Sequence, residues 1–236
     1  MVQKSTAWYM LFLSSLIIAI VSYIGESYWL HLVSKPIIAI ALGGYFISKL
    51  RTWESEASTL VIVALIFSGL GGIFLILQEQ VEFFFLLGAG AYIVTQLSYA
   101  WSFKKRLAEN HQLHPSQIKK SLKFIIPIAI PSVAFVLYVS YTFKDFFLPV
   151  MIYALSLVFL LIMSALRYKL VSKQSFYYAF GGTFALILNF LIICSDFFAN
   201  MVEVGEPVFI FLNAAGQWML IKGIYLDLNE EADLSK

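Results

Sequence analysis

Cysteine and charge are both scarce in this chain. Cys194 is the only cysteine, which excludes an internal disulfide and a zinc site built from several cysteines. Charged residues make up 13% of the chain, about half of the share of about 25% that is usual in soluble domains. The chain therefore lacks the charged surface that a water-soluble protein of this length needs, and its net charge of +2 is no signal of nucleic-acid binding.

Apolar residues take the place of the missing charge. They make up 61% of the sequence, and they fall into eight runs of about 20 residues, the length of a membrane-spanning helix. The sequence predicts an all-α polytopic membrane bundle, one transmembrane domain over residues 1–236. The predicted spans are 7–24, 29–48, 59–77, 82–103, 122–143, 146–168, 176–198 and 207–226, followed by a short disordered cytoplasmic tail over 227–236.

The distribution of basic residues predicts the orientation of the spans. With the N-terminus in the cytoplasm, fourteen of the 16 lysines and arginines fall on the cytoplasmic side. Lys144 alone falls outside, and Lys35 lies within a span. Because cytoplasmic loops are enriched in lysine and arginine, both termini are expected in the cytoplasm. We expect an integral protein of a bacterial inner (plasma) membrane.

Two ionisable residues stand inside the predicted spans. Lys35 lies about six residues into the second span, and Asp196 lies near the outer end of the seventh. A charge within the bilayer costs about 2.5–3.5 kcal/mol, so each is a candidate site residue. The two side chains could pair with each other, extend to the headgroups, or face a substrate.

Uncharged polar residues recur at helical spacing. Asn189 precedes Asp196 by two turns, Asn213 and Gln217 stand one turn apart, and Gln96 lies between two tyrosines on one face of the fourth span. Such side chains line either a shared polar cavity or contacts between helices. The glycine pairs 71–72 and 181–182 are candidates for close helix packing.

The longest loop predicts no site. It carries His111 and His114, but two histidines without a third ligand are weak support for a metal. A solvated basic loop near anionic headgroups is the simpler interpretation. We expect no metal and no cofactor.

Several segments resemble, in order and spacing, the YhhN or lysoplasmalogenase-like family of eight-span membrane proteins. These segments are Lys35-Pro36, FSGLGGIFLIL at 67–77, GAYIVTQLSY at 90–99, FGGTFALILNF at 180–190 and NAAGQWMLIKGIYL at 213–226. The resemblance implies hydrolysis of the vinyl-ether bond of lysoplasmalogens to a fatty aldehyde and a glycerophospho head group. Such chemistry needs a carboxylic acid that protonates the enol ether and a second group that directs water.

This chain departs from the family pattern at the expected functional positions. A Gly-Asp pair in the third span reads Gly71-Gly72, a Ser-Asp pair in the seventh reads Leu188-Asn189, and a His in the fourth reads Gln96. None of these replacements delivers a proton near neutral pH. Asp196 is the carboxyl group that the sequence leaves as the candidate acid.

Three hypotheses follow. The first is a lysoplasmalogenase-like hydrolase with Asp196 as the acid and a membrane lipid or lysolipid as its partner. The substrate-binding residues would be Lys35, on the lipid phosphate, with Gln96, Asn189, Asn213 and Gln217. The second is a non-catalytic lipid-binding or accessory membrane protein on the same scaffold. The third is a small-solute transporter, which the scarcity of buried charge disfavours. The spacing of the polar positions also suggests two parallel four-helix repeats; the sequence gives no oligomeric state.

Overall fold

The fold consists of long helices joined by short turns. The computed structural model describes residues 2–51, 55–78, 80–81, 83–110, 115–143, 146–199, 201 and 205–234. The helices are α1 (Val2–Ile24), α2 (Tyr28–Lys49), α3 (Glu56–Leu77), α4 (Phe83–Asn110), α5 (Pro115–Val139), α6 (Phe147–Leu166), α7 (Lys173–Ile193) and α8 (Glu206–Leu234). A 3₁₀ turn, Ser140–Thr142, follows α5, and a π-helical turn, Cys194–Phe198, follows α7. The described ranges contain no β-strand.

All eight helices are long and apolar enough to cross a membrane. Because lipid offers the backbone no hydrogen-bond partner, each span satisfies its amides internally as a helix. Large apolar side chains on the outside of the bundle, such as Trp29, Ile40 and Leu155, are more than half exposed, as expected for lipid contact. The predicted all-helical fold with eight spans is confirmed, and the chain is an integral membrane protein.

The bundle has two ends, which we call the terminal side and the far side. The terminal side holds the start of α1 and the end of α8, where Asn229 donates to the carbonyl of Lys49 at 2.9 Å. The far side holds the turns between α1 and α2 and between α3 and α4, where Gln80 donates to the hydroxyl of Tyr28 at 2.9 Å. The first turn of α1 and the last turn of α8 therefore lie at the same end of the bundle.

Glycines bring α7 and α8 into backbone contact. A Cβ built on Gly182 would lie 2.5 Å from the carbonyl oxygen of Gly216 and 2.7 Å from the backbone nitrogen of Leu220. No side chain fits in that space, so the two helices touch along their backbones. The proposed packing role of the pair 181–182 agrees with this geometry. The internal repeat stays a prediction.

The prediction of a disordered tail from residue 227 was wrong, because α8 continues to Leu234. Asp227 is 8% exposed and accepts hydrogen bonds from Arg167 Nη2 at 3.1 Å and from Arg106 Nε at 3.4 Å. These three residues form what we call the terminal cluster. An acidic residue that pairs with two arginines extends the helix beyond the apolar run that the sequence shows.

The terminal cluster is closed to solvent. Arg167 is 1% exposed, packs its guanidinium 4.5 Å from the ring centroid of Phe103, and donates to Ser175 Oγ at 2.7 Å. Burial lowers the pKa of Arg167 from its ordinary value, and the neighbouring Asp227 carboxylate opposes that change. The cluster ties the end of α6 to α4, α7 and α8.

Candidate functional site

A cavity of about 580 Å³ enters the bundle from the far side. Tyr23, Gln78 and Gly205 line it at the helix ends, and Ser68 and Gln217 line it near the middle of α3 and α8. The step from Glu206 to Gln217 along α8 corresponds to about 16 Å at 1.5 Å per residue, roughly half of the hydrocarbon thickness of about 30 Å. The volume lies within the range of about 300–1,000 Å³ that is typical of small-molecule sites.

Three residues form the far-side cluster at the cavity: His31, Lys35 and Glu206. Lys35 Nζ lies 2.5 Å from Glu206 Oε1, and His31 Nε2 lies 2.9 Å from the same oxygen. The Lys35 side chain is 14% exposed and the Glu206 side chain is 29% exposed. The ammonium of Lys35 therefore binds the first carboxylate of α8, and its pairing with Asp196, one of three possibilities that the sequence leaves open, stays a prediction.

Local sequence explains why Glu206 stands there. Gly205 has φ +78°, a left-handed conformation that favours glycine and turns the chain into α8. Pro207 fits the first helical turn because that position needs no backbone N–H donor. An acidic residue at a helix start is stabilised by the helix dipole. On α2, His31 and Lys35 are one turn apart and so face the same carboxylate.

Asp196 also lines the cavity, from the π-helical turn that follows α7. Its Oδ2 accepts a hydrogen bond from the backbone N–H of Gly205 at 3.2 Å. This contact places Asp196 beside the residue that precedes Glu206. The two carboxyl groups therefore approach the same region of the cavity, one from the end of α7 and one from the start of α8.

A chain of hydrogen bonds forms the inner end of the cavity. Gln217 Nε2 donates to Ser68 Oγ at 2.6 Å and to Asn213 Oδ1 at 3.3 Å. Asn213 Nδ2 in turn donates to the hydroxyl of Tyr92 at 3.4 Å. Side chains of α3, α4 and α8 thus meet at this polar inner end. Between it and the far-side cluster the lining is mostly apolar, from Ile38, Leu75, Val150, Phe190, Phe209 and Ile210.

The structure brings together all but one of the predicted site residues. Lys35, Asn189, Asp196, Asn213 and Gln217 all line the cavity. Gln96 does not, and its prediction as a lining residue is corrected. It is 2% exposed and accepts a hydrogen bond from Ser156 of α6, because α6 packs over this face of α4.

Three residues of the site were not predicted from the sequence: His31, Ser68 and Glu206. Glu206 stands one position before the predicted start of the eighth span, outside the apolar run in which ionisable residues attract attention. The signal for His31 was present in its one-turn spacing from Lys35. His111 and His114 lie outside the described residues. In the part of the chain that is described, no three histidine, cysteine or acidic side chains are grouped to hold a metal ion.

Comparison with known proteins supplies the family. A model of the YhhN family matches residues 30–224, most of the chain and nearly all of the cavity lining. No curated protein and no solved structure matches the chain. The predicted resemblance is confirmed: the chain belongs to the YhhN family.

Proposed function

We propose that the protein hydrolyses the vinyl-ether bond of lysoplasmalogens, releasing a fatty aldehyde and a glycerophospho head group. The observation that carries the proposal is a cavity within the spans of a YhhN-family chain, with one ammonium and two carboxyl groups at its far-side end. A lysolipid has a matching arrangement, since its charged head group adjoins an apolar chain.

The chemistry assigns a role to each ionisable group. Protonation of the enol-ether carbon gives an oxocarbenium ion, which water then attacks, as in hydrolysis by two carboxyl groups. Glu206 and Asp196 are the two cavity carboxyls among the described residues. One is the proton donor and the other directs water. Lys35 holds the lipid phosphate. To bind there, the phosphate must displace Glu206 from the ammonium.

Gly72 lies beside Lys35, at the position where the resemblance expects an acid in α3. A Cβ built on Gly72 would lie 3.2 Å from Cβ and 3.4 Å from Cδ of Lys35. The resemblance places an aspartate at position 72 in family members, so that carboxylate would stand against the same lysine. In this chain Glu206 supplies a carboxylate to Lys35 from α8 instead. The charge is retained although the residue is not.

The test is a turnover assay with purified protein and lysoplasmalogen, with released fatty aldehyde measured by mass spectrometry. We expect aldehyde from the wild type and a loss of about 10²–10⁴-fold in kcat for Asp196→Asn and for Glu206→Gln. Glu56→Gln is the matched control, because Glu56 is an exposed carboxylate that pairs with Lys105. Absence of aldehyde from the wild type would remove the proposal, and full activity in Asp196→Asn would remove Asp196 from the mechanism.

One observation favours a second candidate, a non-catalytic lipid-binding protein. Both cavity carboxyls already accept hydrogen bonds, Asp196 from a backbone N–H and Glu206 from two side chains. Such contacts are typical of carboxylates that bind rather than acids that donate. Lipid that copurifies stoichiometrically and is never converted would favour this function over hydrolysis.

We propose that the terminal side faces the cytoplasm, as the distribution of lysine and arginine predicts. The native Cys194 is buried, so it contributes little background to thiol labelling. A cysteine introduced at Ser55, on the terminal side, should resist an impermeant maleimide in intact cells, and one at Gln80, on the far side, should react. The opposite result would reverse the orientation.

A further inference from the structure

His31 contacts an oxygen through each of its ring nitrogens. Nδ1 lies 3.2 Å from the carbonyl oxygen of Ala19 on α1, and Nε2 lies 2.9 Å from Oε1 of Glu206 on α8. The residue is 7% exposed, and its ring packs against that of Tyr23 with 5.7 Å between centroids. The imidazole is therefore held in one orientation between α1 and α8.

This geometry places a proton in the contact between His31 and Glu206. A carbonyl oxygen only accepts hydrogen bonds, so Nδ1 carries a hydrogen. Nε2 would then be a bare acceptor in a neutral ring, and a bare acceptor repels a carboxylate oxygen. One proton must lie on Nε2 or on the carboxyl group.

Lys35 decides which of the two atoms carries it. Its ammonium donates to the same Oε1, and a hydrogen bond from a cation favours the carboxylate form of Glu206. The proton then rests on Nε2, and His31 is an imidazolium. The other titratable groups nearby are Tyr23 against the ring, and Tyr92 and Asp196 on the same cavity.

We propose that His31 stores the proton that Glu206 delivers to the substrate, which makes His31 a positioning and proton-supplying residue. The inference rests on the proposed function. Glu206 lines the cavity, and its Oε2 accepts no hydrogen bond from the described residues, whereas Oε1 accepts two. The carboxyl group thus connects a buried imidazolium on one side with the substrate space on the other.

A lipid phosphate triggers the transfer. When the phosphate takes the ammonium of Lys35, Glu206 faces the imidazolium alone. The carboxylate form of Glu206 then loses the hydrogen bond from a cation that had stabilised it. The proton moves from Nε2 to the carboxyl group, which then becomes an acid only when substrate is bound.

The reaction balances with water as the sole co-reactant. The proton passes from Glu206 to the enol-ether carbon remote from oxygen, the C=C electron pair forms the new C–H bond, and an oxocarbenium ion remains. Water bonds to the carbon attached to oxygen and releases a proton to Asp196. The hemiacetal breaks at its bond to the glycerol oxygen, which takes the hydroxyl proton. The proton on Asp196 returns through water to His31.

The position of the proton can be measured without substrate. The chain has three histidines, so His111→Gln with His114→Gln leaves His31 as the single histidine. We expect nitrogen-15 NMR of that protein at neutral pH to show both ring nitrogens protonated. Adding Glu206→Gln to this protein should give a neutral imidazole. The matched control is Ser34→Ala, because Ser34 lies one turn from His31 and its hydroxyl donates to the backbone carbonyl of His31. The control should leave the spectrum unchanged. Identical spectra with and without Glu206 would overturn the proposal.

The catalytic role is tested by His31→Gln, which keeps a hydrogen-bond donor for Glu206 but carries no transferable proton. We expect kcat to fall about 10-fold or more at neutral pH, together with a change in the pH profile of kcat. Ser34→Ala should keep the wild-type rate and profile. An unchanged rate and profile in His31→Gln, with the wild type active, would overturn the relay and leave the proposed function standing. A wild type without turnover would remove the proposed function, and the NMR result would still decide where the proton lies.

Discussion

The two ends of the bundle carry clusters that share one arrangement of charge but differ in their residues and in their access to a cavity. At each end one carboxylate accepts hydrogen bonds from two basic side chains: Asp227 from two arginines, and Glu206 from Lys35 and His31. Asp227 uses both of its oxygens, since Arg106 Nη2 also donates to Oδ1 at 3.4 Å. Glu206 uses one oxygen and lines a cavity.

The difference shows what separates a structural ion cluster from a functional one. Arginine, with its planar fork of donors, engages several acceptors and fixes helix ends together. Lys35 and His31 each give the Glu206 carboxylate a single contact, which a ligand or a proton can displace. Charge alone therefore does not identify the functional site. What distinguishes Glu206 is that, among the described residues, only one of its two oxygens accepts hydrogen bonds and that it lines a cavity.

The largest loss of unfolding free energy is expected at the terminal cluster. Asp227→Asn leaves two buried guanidinium groups without their carboxylate, which should cost about 3–5 kcal/mol of unfolding free energy. Unfolding in mixed micelles, followed by tryptophan fluorescence, measures the loss. A variant as stable as the wild type would mean that the terminal cluster does not hold the helix ends.

A smaller loss is expected midway between the ends, where α7 and α8 connect both clusters. Gly182→Ala forces a methyl group against the backbone of α8 and should cost about 1–3 kcal/mol. Gly90→Ala is the matched control, because a Cβ there meets no atom within 4 Å. Equal stability of the two variants in the same unfolding assay would contradict the close packing of α7 on α8.

The far-side cluster should tolerate the loss of its carboxylate better than the terminal cluster. Glu206→Gln keeps a hydrogen-bond acceptor for Lys35 and His31, and Lys35 lines the cavity, where water can reach its ammonium. We therefore expect a loss of about 1–2 kcal/mol of unfolding free energy. The same unfolding assay compares it directly with Asp227→Asn. A loss as large as that of Asp227→Asn would end the distinction between the two clusters.

The smallest effect is expected for an ion pair outside both clusters. Glu56 and Lys105 are paired at 2.5 Å, but their side chains are 70% and 41% exposed. Glu56→Gln should therefore change the unfolding free energy by about 1 kcal/mol or less. A larger change would show that exposed pairs on the terminal side carry part of the stability assigned to Asp227.

The sequence was sufficient for the helices and insufficient for their side-chain partners. Eight apolar runs predict eight spans because the bilayer imposes length and composition on each helix separately. Arg106 and Arg167 were counted with the cytoplasmic loops, yet both are buried, because Asp227 reaches them from a helix that runs past its apolar segment. Pairing depends on how distant segments align, and the linear pattern does not contain that.

The site shows the same limit. Polar residues at helical spacing predict which helix faces are polar, and five predicted residues line one cavity. The contact of Lys35 with Glu206 was missed, because Glu206 lies one position before the predicted start of its span and the turn at Gly205 leads directly into it. Gln96 was assigned to the cavity because α6, which covers it, could not be placed beforehand.

The stem of Lys35 lies between α3 and α8, against Gly72 on one side and with its ammonium on Glu206 on the other. A counter-ion for this lysine can therefore be supplied from either helix. Exchange of the acid between the two helices needs only two substitutions, Gly72→Asp and Glu206→Gln, and the cation keeps a partner at every step if Gly72→Asp comes first.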